Sequence, residues 1–321
     1  MKEMTKEEEE VGSTLRELLS DAVTKTDTDA LLLSGGLDTS IIAVLTTNAG
    51  RNKKAVTVSL TGTPAADPEY AKKIALLSHY ELSLISITED EALAMLPEVI
   101  KAVRTFDPAI PNDLVIYVAL KEAKKLGIDC VMTGDGADEL FAGYSFMHEL
   151  SHDDLNKYIR TLARTMHFAS NTLGPHFGVQ IKQPYLDKGL VDFALDVNPD
   201  LKIKTVRGRI YGKWILRKAF ENELDAVAWR AKEPIEFGSG ATMLRAVIRR
   251  KISDTEFATK KSEYGMEFMN KEHLFFYEIY KEVVGEVPKP RGEKVCPLCK
   301  ADLPGFHCNI CGFSSPVEKY I

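Results

Sequence analysis

Apolar residues along the first 140 positions come in two alternating kinds: short continuous runs, and longer stretches in which they recur every three or four residues. The runs are Ala30 to Leu33, "KAVTVSL" (54–60), "ELSLISI" (81–87) and "IDCVMT" (128–133). Runs of this length, bounded by polar or glycine residues, predict strands buried on both faces. The periodic stretches predict helices: "STLRELLSDAV" ahead of the first strand, about Asp38 to Thr47, about Asp67 to Ser78, "EALAMLPEVIKAV" and "LVIYVALKEAKKL". Strands separated by such helices imply right-handed crossovers, so the expected fold class is α/β, a doubly wound parallel sheet.

From about 137 to 285 the spacing is mainly helical, broken at "GPHFGVQIKQPYLDKG" (174–189), which reads as loop. An all-helical C-terminal part packed on the sheet is expected there. The proline, glycine and charge of "GEVPKPRGEK" mark a linker. The domain reading is therefore 1–285 as the main unit, 286–293 as linker and 294–321 as a small separate module. The chain has 321 residues, 45% hydrophobic and 27% charged, enough to bury a sizeable core. No apolar run approaches the roughly 18 to 20 residues of a bilayer span, and "MKEMTKEEEEVG" lacks the apolar segment of a secretory signal. A cytoplasmic location and no membrane partner follow as expectations. A formal charge of -6 argues against a general electrostatic grip on nucleic acid.

Cysteine usage sharpens the view of the C-terminal module. Two C-x-x-C pairs, Cys296/Cys299 and Cys308/Cys311, are separated by eight residues. Four thiolates at that spacing predict a closed tetrahedral Zn²⁺ site of the structural kind, a zinc ribbon. So short a module has no independent core, and metal binding is expected to supply most of its folding energy. His307 adjoins a ligand and reads as a surface or packing residue, while Cys130, alone in an apolar run, reads as a buried thiol.

The candidate chemistry lies in two glycine loops. The first strand stops at Ser34-Gly35-Gly36 and the chain restarts as a helix near Asp38, leaving backbone N–H groups that an anion can approach closely. The Gly-Lys-Ser/Thr ending of a Walker-type loop is absent. Asp38 beside phosphates requires an intervening cation, for which Mg²⁺ is the obvious choice. In "VMTGDGADELFAGY" an apolar strand again ends in a glycine loop, Thr133-Gly134-Asp135-Gly136-Ala137, followed by a helix opened by Asp138 and Glu139. Two such loops at the carboxyl ends of neighbouring parallel strands face one crevice, where Asp38 and Asp138 could hold Mg²⁺ from two sides.

The heptad S-G-G-L-D-T-S resembles the PP-loop of the ATP pyrophosphatases. With both loops the resemblance narrows to the synthetase domain of asparagine synthetases and their relatives, β-lactam synthetases included, which carry S-G-G-x-D-S-S and S-G-x-G-x-D-E-x-F-G-G-Y. Here the second motif runs from Thr133 to Tyr144, with Ala142 in place of the first glycine of the pair. "QPYLDKGLVDFAL", "GKWILRKAF" and "AVAWRAKEPIEFGSG" resemble further family segments, so the likeness spans about residues 15 to 250.

The resemblance implies an adenine nucleotide alpha hydrolase-like fold that uses ATP and Mg²⁺. It implies phosphate contacts for Ser34, Gly35, Gly36, Asp38 and Ser40, and an adenosine site lined by Leu33, Val58, Thr133 and Gly134. Lys232 matches the lysine that stabilises charge on the α phosphate and departing pyrophosphate. Asp135 stands where a general base could take a proton from the attacking amine, or serve as a structural acceptor. The implied reaction joins a small carboxylate substrate, activated as an acyl-adenylate, to ammonia or an amine.

Three departures from the family pattern shape the expectation. The chain begins "MKEMTKEEEE", without room for a glutaminase domain before the first strand, so the amine is free ammonia, ammonia from a partner subunit, or a substrate amine. No Arg stands between Arg104 and the second loop, in the region where asparagine synthetases carry a Thr- and Arg-containing stretch near the acidic substrate; this puts aspartate in question, with Lys182 as a substitute cation. The zinc ribbon is the third departure, and it offers a docking point for a protein partner. Competing readings are a PP-loop enzyme that adenylates a tRNA base, and a non-catalytic ATP-binding module.

Overall fold

The computed structural model describes residues 4–46, 53–303 and 305–315. Its first half runs α1 (Lys6–Thr24), β1 (Leu31–Leu32), α2 (Leu37–Leu45), β2 (Lys54–Leu60), α3 (Asp67–Leu77), β3 (Glu81–Ile87), α4 (Glu89–Val103), α5 (Ile110–Lys125), β4 (Cys130–Met132) and α6 (Ala137–Leu140). Then follow α7 (His152–Thr165), α8 (Ala169–Phe177), β5 (Gln180–Lys182), α9 (Lys188–Asp196), α10 (Pro199–Lys202), β6 (Ile203–Val206) and β7 (Arg209–Gly212). The chain continues through α11 (Trp214–Ala219), α12 (Glu221–Leu224), α13 (Ile235–Gly238), α14 (Met243–Lys251), α15 (Asp254–Tyr264) and α16 (Lys271–Val283). Thr47, the expected end of α2, lies outside the described residues.

Five strands form a sheet in the order β3-β2-β1-β4-β5, every pair parallel. From β1 the chain steps outward through β2 to β3, then crosses back to place β4 on the other side of β1 and β5 beyond it. The crevice at that switch point, outside the carboxyl ends of β1 and β4, is where a doubly wound sheet receives its ligand. Side chains alternate between the faces: Val56, Val58 and Leu60 of β2 join an apolar cluster with α4, α5 and α16, while Ala55 joins Leu31, Leu33 and residues of α1, α2 and α3 in a second.

Local chemistry fixes the helix starts. Thr5 with Glu8, and Thr88 with Glu91, form reciprocal capping boxes at α1 and α4, and Pro111 occupies the first turn of α5. The parallel sheet and the helical second half follow the expected class, with two additions. Residues 180–182, in the stretch read as loop, pair with β4 as a short edge strand, Cys130 opposite Gln180 and Met132 opposite Lys182. Residues 203–212 form an antiparallel hairpin, turned by Arg207 at φ 52° and Gly208 at φ 78°, the two positive values that a two-residue type I′ turn requires.

A buried lysine stands outside this economy of packing. Lys202, at the end of α10, is fully buried, and its Nζ has no hydrogen-bond partner among the described residues. Burial, reinforced by the nearby Arg160 charge, pushes its pKa down to about 8. An ammonium whose folded pKa is depressed costs stability in full below that pH, and the cost is relieved as the pH rises from about 8 towards the unfolded value near 10.5. Lys202→Met is therefore expected to stabilise the fold by about 2–3 kcal/mol at pH 7, with the gain fading above pH ~8. Urea unfolding of both proteins across that range checks it, and a destabilised variant at pH 7 would show that the site prefers the charge.

Candidate active site

At the end of β1 the chain turns through Ser34, Gly35 and Gly36 into α2. Gly35 adopts φ +68°, and a Cβ there would lie 2.5 Å from the Ala71 backbone nitrogen, so only glycine permits α3 to approach this turn. The Ser34 hydroxyl accepts from the Gly36 amide at 3.2 Å. No side chain caps α2, so its first-turn amides are left to whatever lies above the loop. The hydroxyl of Ser40, in the same turn, is fully buried and has no partner among the described residues. Leu33 and Val58 are buried near the ends of β1 and β2, and Thr133 is buried just beyond β4.

The second loop lies beside the first, with a Cβ built at Gly134 falling 3.0 Å from that of Asp38. Asp38 and Asp138 meet across this contact through a lysine that the sequence reading did not single out. Lys213 Nζ reaches both oxygens of Asp38, at 2.8 and 2.7 Å, and Asp138 Oδ1 at 2.7 Å. Lys232 Nζ takes the other oxygen of Asp138 at 2.8 Å. Lys213 is only 2% exposed and adopts φ 54°, a strained conformation for a residue with a side chain. Gly143 makes its approach possible: a Cβ there would sit 1.8 Å from Asp138 Oδ1 and 2.4 Å from Lys213 Cε. The available signal was the lysine after glycine that opens "GKWILRKAF".

The charges are strongly coupled. Burial opposes ionisation of Asp138, but Lys213 and Lys232 outweigh it and hold the pKa down to about 2. Burial, joined by the Asp138 charge, pushes Asp38 up against the pull of Lys213. Partial burial works against the Lys232 ammonium, yet Asp138 and Asp38 prevail and keep its pKa above the usual lysine value. The two carboxylates offer oxygen donors of the kind Mg²⁺ takes, while Lys213 Nζ holds the position between them, so they fit an ion that also draws ligands from phosphates.

Asp135 has a different setting. Its Oδ2 accepts from Thr133 Oγ1 and Ser170 Oγ, both at 2.6 Å, and from Gln183 Nε2 at 2.9 Å. The aspartate thus ties the second loop to α8 and the segment after β5. Tyr185, fully buried, donates to the Asp38 carbonyl at 3.2 Å. Arg217 of α11 donates to the carbonyls of Gly212, Ala228 and Arg230, fixing the chain that leads to Lys232. Arg230 in turn pairs with Asp67 at 2.7 Å, and its guanidinium stacks 4.3 Å from the ring centre of Tyr70. Lys182 lies at the end of β5, in register with Met132, and Cys130 is half-buried on β4.

The C-terminal cysteines form a second centre. Antiparallel bridges pair Val295 with Asp302 and His307 with Ser314, making two knuckles whose turns place Lys300 at φ 64° and Gly312 at φ 73°. All four sulfurs are buried and lie within 4.8 Å of one another, with Cys296 to Cys311 at 3.5 Å and Cys299 to Cys308 at 3.6 Å. A tetrahedron with metal–sulfur bonds of about 2.3 Å has edges near 3.8 Å, so the cluster fits Zn²⁺. These sulfurs share an apolar cluster with α4, α5 and α16. His307 points away from them, its Nε2 3.2 Å from Asp107 Oδ2.

The asparagine synthase family model matches residues 14–173 and 157–289. A probable glutamine-hydrolysing asparagine synthetase of Schizosaccharomyces pombe is 28% identical over 291 residues, covering 79% of this chain and 52% of that one. Asparagine synthetase B of Escherichia coli is 29% identical over 294 residues, with 83% and 51% covered. The Asparagus officinalis enzyme is 31% identical over 255 residues, with 70% and 42% covered. The chain thus spans about half the length of the curated relatives it matches. No helix among the described residues is long and apolar enough to cross a membrane. With the family model matching most of its length, the chain belongs to the asparagine synthase family.

Proposed function

We propose that the chain is an ATP-dependent amide ligase that forms AMP and pyrophosphate. The reading rests above all on Asp38, Lys213, Asp138 and Lys232 meeting at the ends of two adjacent strands. A carboxylate oxygen of the substrate attacks the α phosphorus of ATP, and the bond to the bridging oxygen breaks to release pyrophosphate. An amine or ammonia then attacks the acyl carbon; AMP leaves with the mixed-anhydride oxygen, and the amine loses a proton.

Ser34, Gly35 and Gly36 hold the phosphates at the free first turn of α2, with the buried Ser40 hydroxyl beneath them, while Leu33, Val58, Thr133 and Gly134 border the nucleoside. Asp38 and Asp138 would hold Mg²⁺ arriving with the nucleotide, and the ion would supply neutralisation of phosphate charge. Lys232 carries a point cation to the departing pyrophosphate, where it contributes most as negative charge develops. Asp135, anchored through Oδ2, has Oδ1 left to receive the proton from the amine. The four cysteines hold a structural Zn²⁺ and take no part in these steps. The amine comes as ammonia, free or from a partner subunit, or as a substrate amine.

Product analysis with Mg-ATP, ammonium and a panel of amino and keto acids tests the reading. AMP and pyrophosphate dependent on one acid are expected; ADP and phosphate would overturn it. Asp38→Asn and Lys232→Ala are expected to lower the rate of pyrophosphate release by about 10²–10³-fold with the fold intact by circular dichroism. Normal turnover in either variant would sink the site assignment.

Lys213→Met leaves two facing carboxylates short of a cation. It is expected to lose about 3 kcal/mol of stability at pH 7, part of which millimolar Mg²⁺ restores in the variant more than in the wild type. Unfolding curves with and without the ion check both effects; a variant as stable as the wild type would mean that the carboxylates do not depend on Lys213.

A further inference from the structure

The cysteine ribbon is wedged between two walls that both lead to Lys232. On one side the Ile310 carbonyl accepts from the Phe106 amide at 2.9 Å and the Thr105 hydroxyl at 3.0 Å. These residues run directly into α5, where Asn112 Oδ1 accepts the Glu236 amide at 2.8 Å. Arg245 joins the Pro108 carbonyl at 2.8 Å to the Glu236 carboxylate at 2.9 Å. On the other side the Phe306 ring lies 5.6 Å from Tyr158, which continues at 5.7 Å to Phe146 and from there at 5.7 Å to Tyr144. Tyr144 donates to Glu139 at 2.5 Å, and its ring centre is 5.9 Å from Lys232 Nζ.

Lys232 needs such support. Residues 231–235 are all exposed, and 230–234 carry no regular structure, so the lysine's position is set by neighbours rather than by a helix or strand of its own. Phe306 and Ile310 belong to the knuckle closed by Cys308 and Cys311, in which the Cys308 amide bonds the Phe313 carbonyl and the Gly312 amide the Cys308 carbonyl. Gly312 brings this knuckle so close to the first wall that a Cβ there would fall 2.4 Å from the Asp107 carboxylate carbon. A knuckle this small keeps its shape only while its thiolates are held together.

We infer that the metal-loaded ribbon is a strap across the crevice, with Phe306 and Ile310 holding its two walls in register and thereby positioning the Lys232 loop. The geometry stands by itself, while the catalytic consequence rests on the ligase reading above. Phe306 is a positioning residue: it acts through Tyr158, Phe146 and Tyr144.

The test is hydrogen exchange on the full-length protein, with bound zinc measured in parallel. Phe306→Ala keeps all four cysteines; exchange in 144–158 and 230–238 is expected to quicken about tenfold with zinc content unchanged, and Phe306→Tyr to restore it. His307→Ala is expected to loosen 105–113 and leave 144–158 as before, and removing the metal with a chelator to loosen both walls. In turnover, Phe306→Ala is expected to lower kcat about tenfold while KM for ATP stays within about twofold. Unchanged exchange in 230–238, both in Phe306→Ala and after metal removal, would overturn the strap. A wild type that releases neither AMP nor pyrophosphate would instead overturn the ligase reading, and the exchange result would still decide the strap.

Discussion

The Lys213 ammonium, bonded to Asp38 on one side and Asp138 on the other, is the contact on which the crevice depends. Parallel pairing of β1 with β4 brings the two loops together, and with them two partly buried carboxylates that would repel each other in a medium of low dielectric. A cation between them turns that repulsion into cohesion. Much nearby irregularity serves this placement: the positive φ of Lys213, the absence of a side chain at Gly143, and Arg217 tying the start of α11 to the segment before Lys232. With Lys232 added, two carboxylates and two ammoniums sum to zero charge. A neutral cluster neither repels a polyanionic nucleotide nor holds spare charge for a divalent ion, which favours a metal that arrives with the phosphates.

The sheet was legible wherever strands were long and apolar. β2 and β3 coincide with "KAVTVSL" and "ELSLISI", the first rich in β-branched and apolar residues and the second an apolar–polar alternation suited to the half-exposed edge it occupies. β5 escaped because three residues, two of them polar, carry no periodicity; the strand exists through pairing with β4, a contact fixed by tertiary structure. The β6–β7 hairpin lay in a stretch rich in Lys and Arg, and its signal was the Arg-Gly pair between alternating residues.

The site divides in the same way. The two glycine loops could be read because their backbone demands restrict the residue types that fit. Ala142 illustrates the demand: where the resembled family has glycine, this chain keeps a left-handed residue at φ 55° and accepts the strain of a side chain. Lys213 was not legible as a partner of both aspartates, because its 175-residue separation from Asp38 is closed only by the packing of α11. The same holds for Asp135, whose donors Ser170 and Gln183 come from 35 and 48 residues away.

The ribbon raises a problem that family membership does not answer. The family match ends at residue 289, before Cys296, so nothing in the match bears on what the ribbon's four thiols do. The ribbon grips Thr105–Asp107, at the head of "FDPAIPND", through the Ile310 carbonyl and the His307 ring. That is the stretch where the resembled synthetases carry Thr and Arg near the acidic substrate, and where this chain has none of that arginine. The departure in sequence and the added module therefore meet at one place in space. The ribbon braces that loop through Ile310, and the same brace reaches Tyr158 on the opposite wall through Phe306. Ribbon docking and the conformation of the loop before α5 are consequently coupled, so a change in either constrains the other.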